Sequence, residues 1–415
     1  MKLFIKNIKH LGGIAMESPA IKKGKALAEL PFLSEAWLAI EDGLILDYGL
    51  MADWPGITDW RNLEVIDAEN CMVLPGWIDS HTHLVFAGNR VAEFEDRLRG
   101  LSYQDIAAKG GGILNSAKLL DTIPEEVLFE TALQRAQQAM QSGTVALEIK
   151  SGYGLSTEAE LKMLRVIHRL KTTLPIPIKA TYLGAHAVPG RFNGDTDAYL
   201  REIITETLPE IARQKLADYV DIFCETNYFG LDHLDKLLEA SAKFGLKAKV
   251  HVNQFNAFGG VKHAIQHGAL TVDHLEVLND EDIPALLNSE TIPVALPGCS
   301  FFLGIPYTPG RTIIDAGLPL ALASDFNPGS SPSYNMNFVV ALASIKMKLL
   351  PEEAINAATI NAAYAMEIDQ ISGSITPGKK ADFIITKPMN SLAQIAYSFG
   401  ESPVASVFVN GIKIN

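Results

Sequence analysis

The sequence predicts an α/β chain: a (β/α)8 TIM-like barrel joined to a small β-sandwich domain formed from the N- and C-terminal segments. Three observations carry this expectation. The central stretch alternates strand-like apolar runs with helical patterns in about eight repeats, and repeated β-then-α units imply parallel strands that close as a barrel. Both ends instead carry short apolar runs broken by Gly, Asp and Pro. The 415 residues exceed one small domain and suit an α/β domain of about 250–300 residues with a smaller companion.

The elements follow in order. Near the N-terminus, residues 36–40, 44–47 and 63–67 read as strands separated by turn residues. At the other end, residues 381–386 and 404–409 have the same character, beside the turn signals Pro377-Gly378 and Asn410-Gly411. The small domain is therefore expected from residues 1–73 and 366–415, with the barrel at 74–365. Trp77-Ile78 opens the barrel and residues 144–149 form its next strand. A helix is expected over 157–170, where Thr157 and Glu160 have capping-box spacing and Leu161, Leu164 and Ile167 form an apolar stripe. Strands at 178–183, 219–223, 248–252, 270–273, 293–296 and 320–324 follow, with helices such as 197–214 and 233–244 between them.

Composition narrows the function. The chain is 48% hydrophobic and 20% charged, ordinary for a soluble globular protein. The formal net charge is -13, from 35 Lys+Arg against 48 Asp+Glu. Such a surface repels phosphate backbones and anionic lipid, so neither nucleic acid nor a membrane is expected as partner. The 3 cysteines, Cys71, Cys224 and Cys299, are far apart and form no CxxC pair, which argues against a disulfide framework or a cysteine-rich zinc site. The opening MKLFIKNIKHLGG is interrupted by Lys and Asn, unlike a signal peptide. No run approaches the roughly 18–20 apolar residues of a membrane span. A soluble, cytoplasmic protein is expected.

In such a barrel the functional side chains stand at the C-terminal ends of strands. The polar residues there are His81 and His83, Glu148 and Lys150, His186, Glu225, His251, His274 and Asp325. His81-Thr82-His83 is the anchor. Alternate strand residues point the same way, so both imidazoles can face one ion.

The run Pro75-Gly76-Trp77-Ile78-Asp79-Ser80-His81-Thr82-His83-Leu84 resembles the first-strand signature of the amidohydrolase superfamily. Leu322-Ala323-Ser324-Asp325 resembles its final-strand aspartate, and Gly373-Ser374-Ile375-Thr376-Pro377-Gly378-Lys379-Lys380-Ala381-Asp382 its tail. Within that superfamily, five blocks resemble the imidazolonepropionase family: residues 85–90, Gly110-Gly111-Gly112-Ile113, residues 148–155, residues 182–189 and residues 324–330. The resemblance runs along nearly the whole chain. One block departs: in His251-Val252-Asn253-Gln254-Phe255, Asn253 stands where the family has an acid, and Gln254 is the amide option at a Glu-or-Gln position. An amide cannot serve as a carboxylate base.

The resemblance implies hydrolysis of the cyclic amide of 4-imidazolone-5-propanoate to N-formimidoyl-L-glutamate, a step of histidine degradation. It implies one divalent ion per chain, zinc or iron, held by His81, His83, His251 and Asp325; manganese is also compatible with those ligands. Such an ion acidifies a water and polarises a carbonyl. Asp325, His274 and Gln254 are the catalytic candidates, Asp325 as proton acceptor and His274 near the carbonyl oxygen. Arg90 offers a two-pronged fit to the propanoate. Tyr153, His186, Gln254, Asn327, Gly329 and Ser330 are the further substrate contacts. A homodimer is a family-level expectation.

Blander readings apply elsewhere. His168, His263 and His267 lie on helices expected outside the barrel, and His10 and His233 lack context. Lys150 is not expected to bridge two metals. Glu148 and Glu225 are expected to orient the histidines. Gly110-Gly111-Gly112 lacks the phosphate-loop pattern and reads as a loop near the site. The rival readings are another amidohydrolase, such as a deaminase, and a non-catalytic scaffold on the same fold. The first would differ at Arg90, Tyr153 and His186; the second would lose metal ligands.

Overall fold

The computed structural model describes residues 2–19, 21–101, 105 and 110–415. Five strands precede the barrel: β1 (Lys2–Gly12), β2 (Phe32–Glu41), β3 (Leu44–Leu50), β4 (Leu63–Asp67) and β5 (Met72–Pro75). β2 and β3 turn through Asp42-Gly43, both at positive φ (50° and 82°), the twist-matched hairpin geometry that Asp-Gly favours. One edge of β1 pairs with β2. Its other edge takes β4 along Lys2–Lys6 and then β5 at His10 and Leu11.

Gly76 carries the chain from that sheet into the barrel. The barrel strands are β6 (Trp77–Thr82), β7 (Thr144–Lys150), β8 (Ile178–Ala185), β9 (Tyr219–Cys224), β10 (Lys247–Val252), β11 (Thr271–His274), β12 (Ile292–Ala295) and β13 (Ala321–Leu322). They run as one parallel sheet in sequence order. A parallel bridge between Thr82 and Phe326 closes β13 back onto β6. Outward residues of β7, Val145, Leu147 and Ile149, join a core with Leu128, Ala132, Leu161 and Leu164 from the flanking helices. Part of the inner layer is charged: Glu148, Lys150, Asp221, Lys249 and Asp273 are all 0% exposed. Apolar patterning cannot announce such a core.

The last strands, β14 (Phe383–Thr386), β15 (Val404–Val409) and β16 (Ile412–Lys413), return to the first sheet. Phe383 pairs with Pro75 on β5, so both ends of the chain share one mixed sheet. Its core includes Leu3, Ile5, Leu38, Ile40, Phe383 and Phe408.

Two helices differ from expectation. The helix Thr157–Thr173 is capped by Ser156, whose side chain accepts from the Ala159 N–H. Glu160 accepts instead from the N–H groups of Gly152, Gly154 and Leu155, bracing the loop after β7. The expected helix at 197–214 is two α segments, Thr196–Glu202 and Leu208–Gln214, around a π turn at Ile203–Thr207. Pro209 explains the interruption, since it lacks an N–H and crowds the preceding turn. Among the described residues no helix is long and apolar enough to cross a membrane.

Candidate metal centre and pocket

The barrel seam assembles the cluster. Asp325 follows β13 with φ of 52°, a conformation that costs a non-glycine residue energy and recurs at functional sites. Its N–H donates to His81 O (3.0 Å), and the His83 N–H donates to Phe326 O (2.8 Å). Three side chains thereby meet: Asp325 Oδ1 lies 3.6 Å from His81 Nε2 and 3.4 Å from His83 Nε2. His251, on β10, brings its Nε2 to 3.3 Å from His83 Nε2. His274, at the end of β11, completes a group with His81 and His251 whose donor atoms lie within 4.8 Å of one another.

Carboxylates on other barrel strands aim the rings. His81 donates its Nδ1–H to Asp273 Oδ2 (2.5 Å) and His251 to Asp221 Oδ2 (2.7 Å). Each Nε2 is then a lone pair pointed at the cluster. Burial pulls His81 well below its ordinary pKa and His251 down to about 4, so both are neutral near pH 7. Burial would raise Asp325, but His83 and His274 outweigh it and hold the carboxyl below its usual value. The result is lone pairs and a carboxylate crowded together, with His81 Nε2 buried and unpartnered. A cation resolves that crowding, and three imidazoles with one carboxylate suit zinc or iron.

Beside the cluster lies a small pocket. Arg90, Tyr153, His186, Gln254, His274, Asn327, Gly329 and Ser330 all line it, with His83, His251 and Asp325 at its floor. Arg90 is 7% exposed. Its Nε donates to Ser116 Oγ (3.0 Å), while its Nη2 is buried and unpartnered. Its guanidinium also lies 5.5 Å from the Tyr153 ring centre. His186 has its Nδ1 on Gly152 O (2.9 Å) and its ring stacked on His83 at 5.5 Å. Gln254 donates to Cys299 Sγ (3.3 Å). Asn327 closes a tight turn: its Oδ1 accepts from Gly329 and Ser330 N–H, both at 2.8 Å, and its Nδ2 donates to Asp325 O (2.7 Å).

Other sequence candidates fall elsewhere. Asn253 donates to Asp282 Oδ2 (2.8 Å), away from the pocket. Glu148 and Glu225 do not touch the clustered histidines. Glu148 pairs with Lys150 (3.0 Å), and Glu225 holds the N–H groups of Phe255 and Asn256. The orienting acids are Asp221, Asp273 and, for His274, Glu276 at 3.1 Å. Two of these acids, Asp221 and Asp273, interrupt apolar strands of the sequence, and that interruption is the signal that marks them. Lys150 is ion-paired to Asp221 at 2.9 Å. His263 and His267 share Asp235 on the outer helices, and His168 is exposed. Gly111 and Gly112 line a neighbouring, larger hollow with Thr226 and Asn256.

Known proteins match this architecture. The profile of the amidohydrolase family matches residues 303–413. Guanine deaminase from E. coli superposes with a TM-score of 0.75 at 12% identity, covering 100% of this chain and 99% of its own. An adenosine deaminase from Xanthomonas campestris with bound zinc gives 0.70 at 15% identity, covering 99% and 92%. At such identities the likeness is one of fold. An imidazolonepropionase of Flavobacterium johnsoniae is 55% identical over 411 residues, 99% of both chains. That of Geobacillus kaustophilus is 40% identical over 411 residues, 99% of this chain and 97% of its own. Barrel, shared sheet and buried His–Asp cluster define an amidohydrolase, a metal-dependent hydrolase acting on carbon–nitrogen bonds. Within that class, the chain belongs to the imidazolonepropionase family.

Proposed function

We propose that the chain opens the ring of 4-imidazolone-5-propanoate with water, giving N-formimidoyl-L-glutamate. One observation carries the substrate: a buried guanidinium with an unpartnered Nη2 faces the pocket beside the histidine cluster. Glu93 Oε2 lies 4.0 Å from the Arg90 Nε, but the buried Nη2 still lacks an acceptor and calls for an anionic ligand group, which the propanoate supplies. In the balanced reaction, water oxygen bonds the ring carbonyl carbon, the carbon–nitrogen bond breaks, and the departing nitrogen takes a proton.

His81, His83, His251 and Asp325 would hold the ion, zinc or iron. When bound, it supplies an acidified water and polarisation of the carbonyl. Asp325 accepts the proton of the attacking water and returns it to the departing nitrogen. Burial alone would lower His274, but Glu276 outweighs it and lifts the imidazole to about 8. In its protonated form it donates towards the carbonyl oxygen. His186 gives its Nδ1–H to Gly152, and burial keeps the ring neutral. Its Nε2 is thus an acceptor, suited to a ring N–H rather than to the carboxylate. Arg90 grips the propanoate with Tyr153 beside it. Gln254 and Ser330 contact the ring end, and Asn327 and Gly329 shape the wall. The enzyme is proposed to work in the cytoplasm, as a homodimer.

The test is product identity. Imidazolone acid made in situ from urocanate should lose its ring absorbance and yield formimidoylglutamate by mass spectrometry. Ammonia released from guanine or adenosine instead would replace this reading with a deaminase.

A further inference from the structure

Lys150 is the last residue of β7 and is entirely enclosed. Its Nζ lies 2.9 Å from Asp221 Oδ2, 3.0 Å from Glu148 Oε1 and 3.7 Å from Asp273 Oδ2. The two aspartate oxygens are the very atoms that receive the Nδ1–H groups of His251 (2.7 Å) and His81 (2.5 Å). One ammonium thus spans two carboxylates, each carboxylate fixes one imidazole, and both imidazoles face the same ion site. Without that charge, Asp221 and Asp273 would be buried like charges pushing apart, and each would carry its histidine ring with it. A second buried lysine supports the frame. Lys249 donates to Ser80 O (2.7 Å), anchoring the backbone just before His81.

We propose that Lys150 is a positioning residue that aligns His81 and His251 as a pair, so that metal affinity depends on a side chain touching neither the ion nor the substrate. This rests on the metal centre proposed above, but its test needs no substrate. Outer partners of metal ligands set ring orientation, and their loss weakens binding by about 10–100-fold.

The experiment compares Lys150→Met with the double variant Lys150→Met/Glu148→Gln. The double variant removes one positive and one negative charge, so the interior keeps its balance, and Glu148 holds no histidine. Zinc affinity is read by competition with a chelator, and ligand geometry by the visible spectrum of the cobalt-substituted protein. The expected result is a folded double variant with zinc binding about 10–100-fold weaker and a changed cobalt spectrum. At saturating zinc its KM should match the parent. Zinc binding within twofold of the parent with an unchanged spectrum would overturn the assignment. So would failure of both variants to fold, because the lysine would then serve the fold and not the metal centre. Parental protein that binds zinc tightly yet leaves imidazolone acid intact would refute the proposed reaction and leave this inference standing.

Discussion

Arg90 and Gly329 form a matched pair. A Cβ on Gly329 would lie 2.2 Å from Arg90 Nη1, so only glycine lets the guanidinium sit where it does. Arg90→Ala removes a charge-assisted contact worth about 1.5–3 kcal/mol. It should lower kcat/KM by about 10–100-fold, mostly through KM. Gly329→Ala should displace the same guanidinium, raise KM in the same direction and leave zinc content unchanged. Steady-state kinetics beside metal analysis checks both. Asp325→Ala, in contrast, should lose bound metal and turnover together, since a ligand and the proposed proton acceptor go at once. At this scale the sequence was legible where residues cluster in a distinctive string, as in His81-Thr82-His83. It was opaque where a lone acid sits in an apolar strand. Asp221 and Asp273 look there like ordinary interruptions, and only the closed barrel reveals what they hold.

Elements were read by period. Alternating apolar runs located the barrel strands because each buries its outer face against helices, as Val145, Leu147 and Ile149 do. The pairing within the charged inner layer was not legible, since Lys150 and Asp221 neutralise one another across strands far apart in sequence. Local chemistry also misled: Thr157 and Glu160 have capping-box spacing, yet Ser156 caps and Glu160 braces the loop of Gly152 and Gly154. The link Pro75-Gly76-Trp77 is a close-packed join between sheet and barrel. A Cβ on Gly76 would lie 2.3 Å from Val145 Cγ1. Gly76→Ala should therefore force β6 away from β7 and cost about 1–3 kcal/mol of stability, seen as a lower urea midpoint. Because β6 carries His81, zinc affinity should fall with it.

Across the whole molecule, the returning C-terminal strands lock the barrel's entrance strand in place. Asp382 lies at that junction. Its carboxylate accepts the Asn410 N–H (2.8 Å) and its backbone oxygen accepts the Gly76 N–H (3.1 Å). Burial pushes its carboxyl up to about 6 from 3.8. A carboxyl with a raised folded pKa holds its proton better folded than unfolded. Its ionisation therefore costs stability as pH rises from about 4 to about 6, by up to about 3 kcal/mol above that window. Asp382→Asn keeps an acceptor for Asn410 and should be more stable than the parent at pH 7. The advantage should fade to nothing by pH 4, which paired urea titrations at the two pH values measure. The sharing of one sheet by both termini was legible from the matching character of the chain ends. The fork at β1 was not, because parallel partners leave no hairpin signal in sequence. On this scaffold a barrel-mouth metal is proposed to drive hydrolysis of an imidazolone acid. The most direct measurement follows ring-opening rate against bound metal while metal is stripped by chelator and titrated back with zinc or iron. Rate should vanish with the metal and return in proportion, saturating near one ion per chain. Full turnover in metal-free protein would contradict the account.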